Sequence, residues 1–191
     1  MLRKLLRHFR SDVRASVLYG EIVAQARQPG FYESLKIPDT PEGRFDMIVL
    51  HVVLVMRRLR EEGGSGRDLA QELFDAFFAD MDRNLREMGI SDMAVPKRVR
   101  GMAEAFYGRA AVYDAAIDAE SDEGLRAALE RNLFADKAGS GIDPAAVGSM
   151  AGYVLTAGRR LAEIPRDDVM SAALTWPAVP TGPAAVAGDT E

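Results

Sequence analysis

Along most of the chain apolar residues recur every three or four positions, the spacing that gathers them on one face of an α-helix. At the start, Leu2, Leu5, Leu6, Phe9 and Val13 share such a face, with arginines opposite. A second helical stretch covers about residues 12–28 and stops at "QPGFYESLKIPD", whose prolines and glycine mark a connector. "TPEGRF" opens the next helix, with Thr40 as N-cap and Pro41 at the first helical position, where a missing N–H costs nothing. This helix runs through "MIVLHVVLVM" to about Glu62 and ends at the connector "GGSG". The four valines of the apolar run would also suit a buried strand. The cap before it and "RRLREE" after it favour a central buried helix.

Further helices are predicted over about residues 66–88, where Gly89 supplies a left-handed stop, and over about 96–119, opened by Pro96. In the latter, Val99, Met102, Phe106, Ala110, Tyr113 and Ile117 are in register. Ser121 caps a shorter helix in "SDEGLRAALERNLFAD", and Asp143 with Pro144 starts another that reaches about Ile164. A last short helix precedes "WPAVPTGPAAVAGDTE", which reads as a disordered tail. The expected class is all-α, a single-domain bundle of six to eight helices without internal repeats. Its expected parts are a basic amphipathic helix over 1–14, a helical domain over 15–175 and a tail over 176–191.

Charge divides the chain unevenly. Residues 1–14 carry Arg3, Lys4, Arg7, Arg10 and Arg14 against Asp12 alone, whereas the whole chain is at −5. A basic head on an acidic body argues against general nucleic-acid binding, so no specific DNA binding is expected. It points to a local anionic contact: an interfacial helix at an anionic membrane or ribosomal surface. Packing of its apolar face on the protein's own core is the competing reading. No apolar segment of signal-peptide type follows the head, and the longest apolar run is half the roughly 20 residues that a bilayer crossing needs. The expected location is cytoplasmic, peripheral to the inner membrane.

Candidate chemistry is sparse. There are no cysteines, which excludes thiolate catalysis and Cys-ligated metals. "FFADMDRNLREMGISD" contains Asp-x-Asp, but on a helix at about 100° per residue Asp80 and Asp82 point about 160° apart and cannot share an ion. Asp82 with Arg86, and Arg83 with Glu87, read as surface pairs worth roughly 0.2–0.5 kcal/mol each. Asp80 and Asn84 instead sit at the edge of the apolar arc, where burial demands a partner. An arginine from a neighbouring helix, Arg44, Arg58 or Arg109, is expected to complete this polar seam, the alternative being that the pair faces a protein partner. His51 lies inside the apolar run without the companions of a metal motif and reads as a hydrogen-bonded core histidine. Gly101 and Gly108 share a helix face with Ala105, which lets another helix approach closely, either internally or from a partner. No catalytic residue, metal or cofactor is assigned. A helical metal enzyme would need carboxylates from several helices, such as Asp80 with Asp114 or Asp118.

Four segments in order, "QARQPGFY", "PDTPEGRFDM", "DMDRNLREMG" and "AFYGR", resemble the ubiquinol–cytochrome c chaperone family, over about residues 18–117. Members are assembly factors for cytochrome b of respiratory complex III, and the Ala/Arg/Gly-rich style of this chain is similar to bacterial ones. The resemblance implies an all-α, non-enzymatic chaperone whose client is newly made cytochrome b. Within the matching segments it implies partner contacts at Phe31, Tyr32, Arg44, Lys97, Tyr107 and Arg109. A ribosome- or RNA-associated translation factor, using the basic head, is the alternative.

Overall fold

The computed structural model describes residues 2–134 and 141–181 of the protein, with side chains from residue 13 onward. Among these there are eight helices and no strands: α1 Leu2–Ala26, α2 Pro29–Glu33, α3 Pro41–Arg60, α4 Gly63–Glu87, α5 Val95–Asp118, α6 Asp122–Asn132, α7 Pro144–Glu163 and α8 Arg166–Met170. The all-α expectation holds.

The central element is α3. Residues 47–55 are buried on every side, as befits a helix that is apolar all round. α1, α4, α5 and α7 surround it, and α6 packs between α5 and α7. The helix reading of "MIVLHVVLVM" is therefore right, and burial by four neighbours explains why its apolar residues show no single stripe.

Local signals start and stop the helices where the sequence places them. The Thr40 hydroxyl accepts from the Gly43 N–H at 3.1 Å. Position 43 must be glycine, because a Cβ there would sit 2.0 Å from the Pro38 carbonyl oxygen. Ser121 and Asp143 cap α6 and α7 in the same manner, accepting from Gly124 and Ala145. Gly89, at φ +80°, ends α4 while the Ile90 N–H reaches back to the Leu85 carbonyl.

Three boundaries differ from expectation. α1 is one continuous helix through residues 2–26, with no break between head and body. "GGSG" is not a connector but the first turn of α4. Gly63 takes φ +72° and Gly66 lies against Leu59, where a Cβ would meet the carbonyl oxygen at 2.1 Å. The tail assigned from Trp176 onward begins too early, since Trp176, Pro177 and Val179 lie against the bundle. A tryptophan supplies more apolar surface than any other side chain, which ties down a segment whose Pro content alone reads as unstructured. The remainder of that tail, 182–191, and the side chains of Arg3, Lys4, Arg7 and Arg10 lie outside the described residues. Arg14, the last cation of the basic head, is exposed, and Val13 and Val17 beside it are 59% and 49% exposed.

The ends of α3 and α7 are joined by Arg58, which is buried. Its Nε donates to the Leu161 carbonyl at 2.9 Å and its Nη2 to the Ile164 carbonyl at 2.8 Å, satisfying the last carbonyls of α7. Glu62 neutralises it at 2.5 Å and in turn receives Arg166 at 3.0 Å. Replacing Arg58 with methionine leaves the shielded Glu62 carboxylate only the more exposed Arg166 and removes a donor from each of two helix-terminal carbonyls. Breaking a buried pair on one side costs about 3–5 kcal/mol. The expected outcome is a fall in the thermal midpoint of roughly 6–20 °C by calorimetry, at about 2–4 °C per kcal/mol for a chain of this size. A fall within a degree or two would show that the cluster carries no such load.

Candidate functional site

The polar seam on α4 is completed differently from expectation. Asp80 accepts from the Tyr19 hydroxyl of α1 at 2.9 Å, from the Asn84 amide at 3.2 Å and from Arg83 one turn on. None of Arg44, Arg58 or Arg109 reaches it. The reason lies in the packing: this edge of α4 faces α1, whereas Arg58 is committed to the end of α7. Arg109 pairs with Asp46 of α3 at 2.9 Å, and Arg44 pairs with Asp39 across an exposed turn. Arg83 therefore belongs to Asp80 and not to the expected Glu87 pair, while the expected Asp82–Arg86 pair forms at 2.6 Å. Burial, reinforced by the neighbouring Asp80 carboxylate, raises the Tyr19 hydroxyl well above the usual phenol range. The tyrosine thus stays protonated and remains a donor. The seam joins α1 to α4.

The residues taken from the family segments separate into two groups. Phe31 has no exposed surface: its ring stands edge-on to Tyr153 at 4.9 Å and to His51 at 5.6 Å, so it is a core residue and offers nothing to a partner. Tyr32 is half-buried and donates to the Ala26 carbonyl at 2.8 Å, and burial pushes its hydroxyl up to about 12. Arg109 is largely covered by its pair with Asp46. Lys97 and Tyr107, by contrast, project from α5 into solvent, with Tyr107 60% exposed. Tyr107 stands beside Phe74 and Phe106, so its ring extends the aromatic core to the surface.

Around these two residues the fold leaves an open apolar edge. Met88 and Met93, at the turn from α4 to α5, are 67% and 94% exposed, and Val112 lies further along α5. Between them Gly101 and Gly108 face open space, with nothing within 4 Å of where a Cβ would stand. Among the described residues, then, no other helix packs on these glycines. The outer face of α5 exposes Lys97, Gly101, Gly108, Ala111, Val112 and Ala115 together with the charged Glu104, and its small residues leave room for another helix backbone beside that carboxylate. Glycine costs about 1 kcal/mol relative to alanine inside a helix, and no neighbour within the described fold accounts for that cost here.

Elsewhere the polar groups are committed to one another. A cleft of about 330 Å³ opens between α3, α5 and α7, over Leu54, Ile117 and Leu155. Of its cations, Arg57 is held by Asp118 and Asp114, Arg58 by Glu62, and Arg159 donates to its own helix at Leu155. Asp114 and Asp118 thus serve Arg57 and Arg60, while Asp80 is engaged with α1. Among the described residues no three His, Asp or Glu side chains gather as metal ligands would, and no helix is long and apolar enough to cross a membrane.

His51 is fully buried within a relay. Its Nδ1 lies 2.8 Å from the Met47 carbonyl, which can only accept, so Nδ1 carries the proton and Nε2 accepts from the Tyr153 hydroxyl at 2.9 Å. Gln25 of α1 donates to that hydroxyl at 2.9 Å. The core-histidine expectation is met. Burial lowers the imidazole from its ordinary 6.5 to about 4, against the opposing effect of the Met47 carbonyl. The unfolded chain therefore binds the proton more readily than the fold. The stability contributed by neutral His51 is present above about 6.5 and is lost as pH falls through that value toward 4. Urea midpoints should drop over this range by an amount equivalent to roughly 2–3 kcal/mol. His51→Gln should flatten the drop relative to the parent; parallel profiles would contradict the assignment.

Among the described residues the chain is an all-α helical bundle around the buried α3, with many of its charged side chains paired to one another. Comparison with known proteins agrees with that class. The family model described as Ubiquinol-cytochrome C chaperone matches residues 33–176, and the chain belongs to this family. It is 38% identical to a protein whose crystal structure is described as the Cbp3 homolog from Brucella abortus. The two superpose with a TM-score of 0.79 over 94% of this chain and 98% of that one. Ubiquinol-cytochrome-c reductase complex assembly factor 1 of Xenopus laevis is 32% identical over 104 residues, 54% of this chain and 52% of that protein. Its Drosophila melanogaster counterpart is 24% identical over 173 residues, 87% of this chain and 65% of that protein. The chain spans about half the length of the Xenopus relative.

Proposed function

We propose that this protein is a non-enzymatic assembly chaperone of ubiquinol–cytochrome c reductase that holds newly made cytochrome b. Membership of the chaperone family, over residues 33–176, carries the reading. The open edge of α4 and α5 supports it. A client made of apolar membrane helices needs a surface that is itself apolar, adaptable and free of bulky side chains. Exposed methionines provide the adaptability, and Gly101 and Gly108 provide the close approach. Of the contact residues taken from the resemblance, Lys97 and Tyr107 remain as proposed client contacts. Arg44 and Tyr32 flank a different face, and Arg109 acts by holding α5 on α3. In cells lacking the protein, assembled cytochrome b with its haems should fall severely by absorption spectroscopy, and normal levels would refute the reading. Lys97→Glu combined with Tyr107→Ala should reproduce the loss with an unchanged melting curve. If the complex assembles normally in that double variant, the client surface lies elsewhere.

The basic head is proposed to hold the chaperone at an anionic membrane, where such a client emerges. The exposure of Val13, Val17 and Arg14 favours this over packing of that face on the core. Each basic residue near an anionic bilayer contributes about 1 kcal/mol. Reversing Arg3, Lys4, Arg7 and Arg10 to glutamate should therefore weaken flotation with phosphatidylserine-containing vesicles by more than about tenfold. Unchanged flotation, or salt-sensitive cosedimentation with ribosomes alone, would rule the membrane out.

A further inference from the structure

Trp176, the only tryptophan of the chain, lies beyond α8 where the backbone turns back over the bundle. Its ring stands edge-on to His51, with centroids 5.2 Å apart. Pro177 is buried behind it, and Val179 lies on Gly30 at the start of α2. That last contact requires a glycine, because a Cβ at position 30 would come within 2.9 Å of Val179 Cγ1. The segment thus covers the Phe31–His51–Tyr153 cluster contributed by α2, α3 and α7.

The polar ties of this cover are weak compared with what lies beneath it. Among the described residues its backbone-to-backbone hydrogen bonds end at Leu174. Beyond that point the remaining polar tie is Arg160, whose Nη1 donates to the Trp176 carbonyl at 3.3 Å. Pro177 and Pro180 have no N–H to give, and the buried indole N–H of Trp176 has no acceptor. An orphaned donor is penalised while covered and is satisfied by water once released. Below, each polar group of the Gln25–Tyr153–His51–Met47 relay has a partner.

We infer that residues 175–181 form a strap that lifts from the α2–α3–α7 face as a unit, independently of the helical body, and uncovers an aromatic surface there. Segments with few backbone hydrogen bonds open at a fraction of the global stability. The inference goes beyond the chaperone reading and does not rest on it. Because Trp176 is the sole tryptophan, its emission in the full chain reports the strap alone. In a urea titration the emission should shift to the red at lower urea than the loss of helical circular dichroism. Gly30→Ala, which pushes against Val179 while suiting a helix, should shift the emission without urea and raise acrylamide quenching about twofold. The helical transition of that variant should stay in place. Coincident fluorescence and helicity transitions in the parent chain would overturn the inference. So would a Gly30→Ala protein whose tryptophan stays as shielded as the parent's, or whose two transitions move together.

Discussion

The burial of α3 on all sides is the constraint from which the rest of the structure follows. A helix with apolar residues around its whole circumference cannot rest on one partner, so α1, α4, α5 and α7 must each lend it a face. Polar groups drawn into that interior must then find partners there. His51 does so through Met47 and Tyr153, and Arg58 by capping the end of α7. Arg109 ties α5 to α3 through Asp46. Each of these contacts fixes one neighbour of α3 in place. What the arrangement does not cover is the far side of α5, and that uncovered side is where the methionines, Tyr107 and the open glycines lie.

The features that could be read in the sequence are those governed by neighbours in the chain. Thr40 before Pro41, Ser121, Asp143 before Pro144, and Gly89 each act within one helical turn, and each marks a boundary in the structure. Helical spacing also showed that Asp80 sits at the edge of an apolar arc. It could not show which helix faces that edge, because the rotation of α4 against α1 is a property of tertiary packing. The tyrosine that answers Asp80 stands 61 positions away and carries no charge to advertise the pairing. Phe31, which the family resemblance implies as a partner contact, is a core residue for a related reason. A short helix, α2, tucks it beneath α3 and α7, and "PGFY" looks like an exposed turn when that docking is unknown. In the tail, Pro and Ala dominated the composition and masked the one residue, Trp176, able to anchor it.

The candidate surface was legible in part. Gly101 and Gly108 are conspicuous in the sequence as two helix-weakening residues seven apart on one face, where internal packing is the leading use and a groove for a foreign helix the sharper one. Only the placed neighbours decide between those uses. Among the described residues nothing stands against either glycine, which favours the second use. An open face of this kind suits the chaperone family to which the chain belongs. Met88, by contrast, falls on the apolar arc of its helix by periodicity, yet it is exposed together with Met93 because the α4–α5 turn carries both beyond the packed part of that arc.

The central claim is that a foreign helix occupies the outer face of α5. A photoreactive amino acid placed at Val112, and separately at the exposed Gln71 of α4 as a control, tests this in cells with radiolabelled translation products. The account predicts a crosslink to newly made cytochrome b from position 112 and none from position 71. Crosslinks of equal strength from both positions, or from position 71 alone, would contradict it.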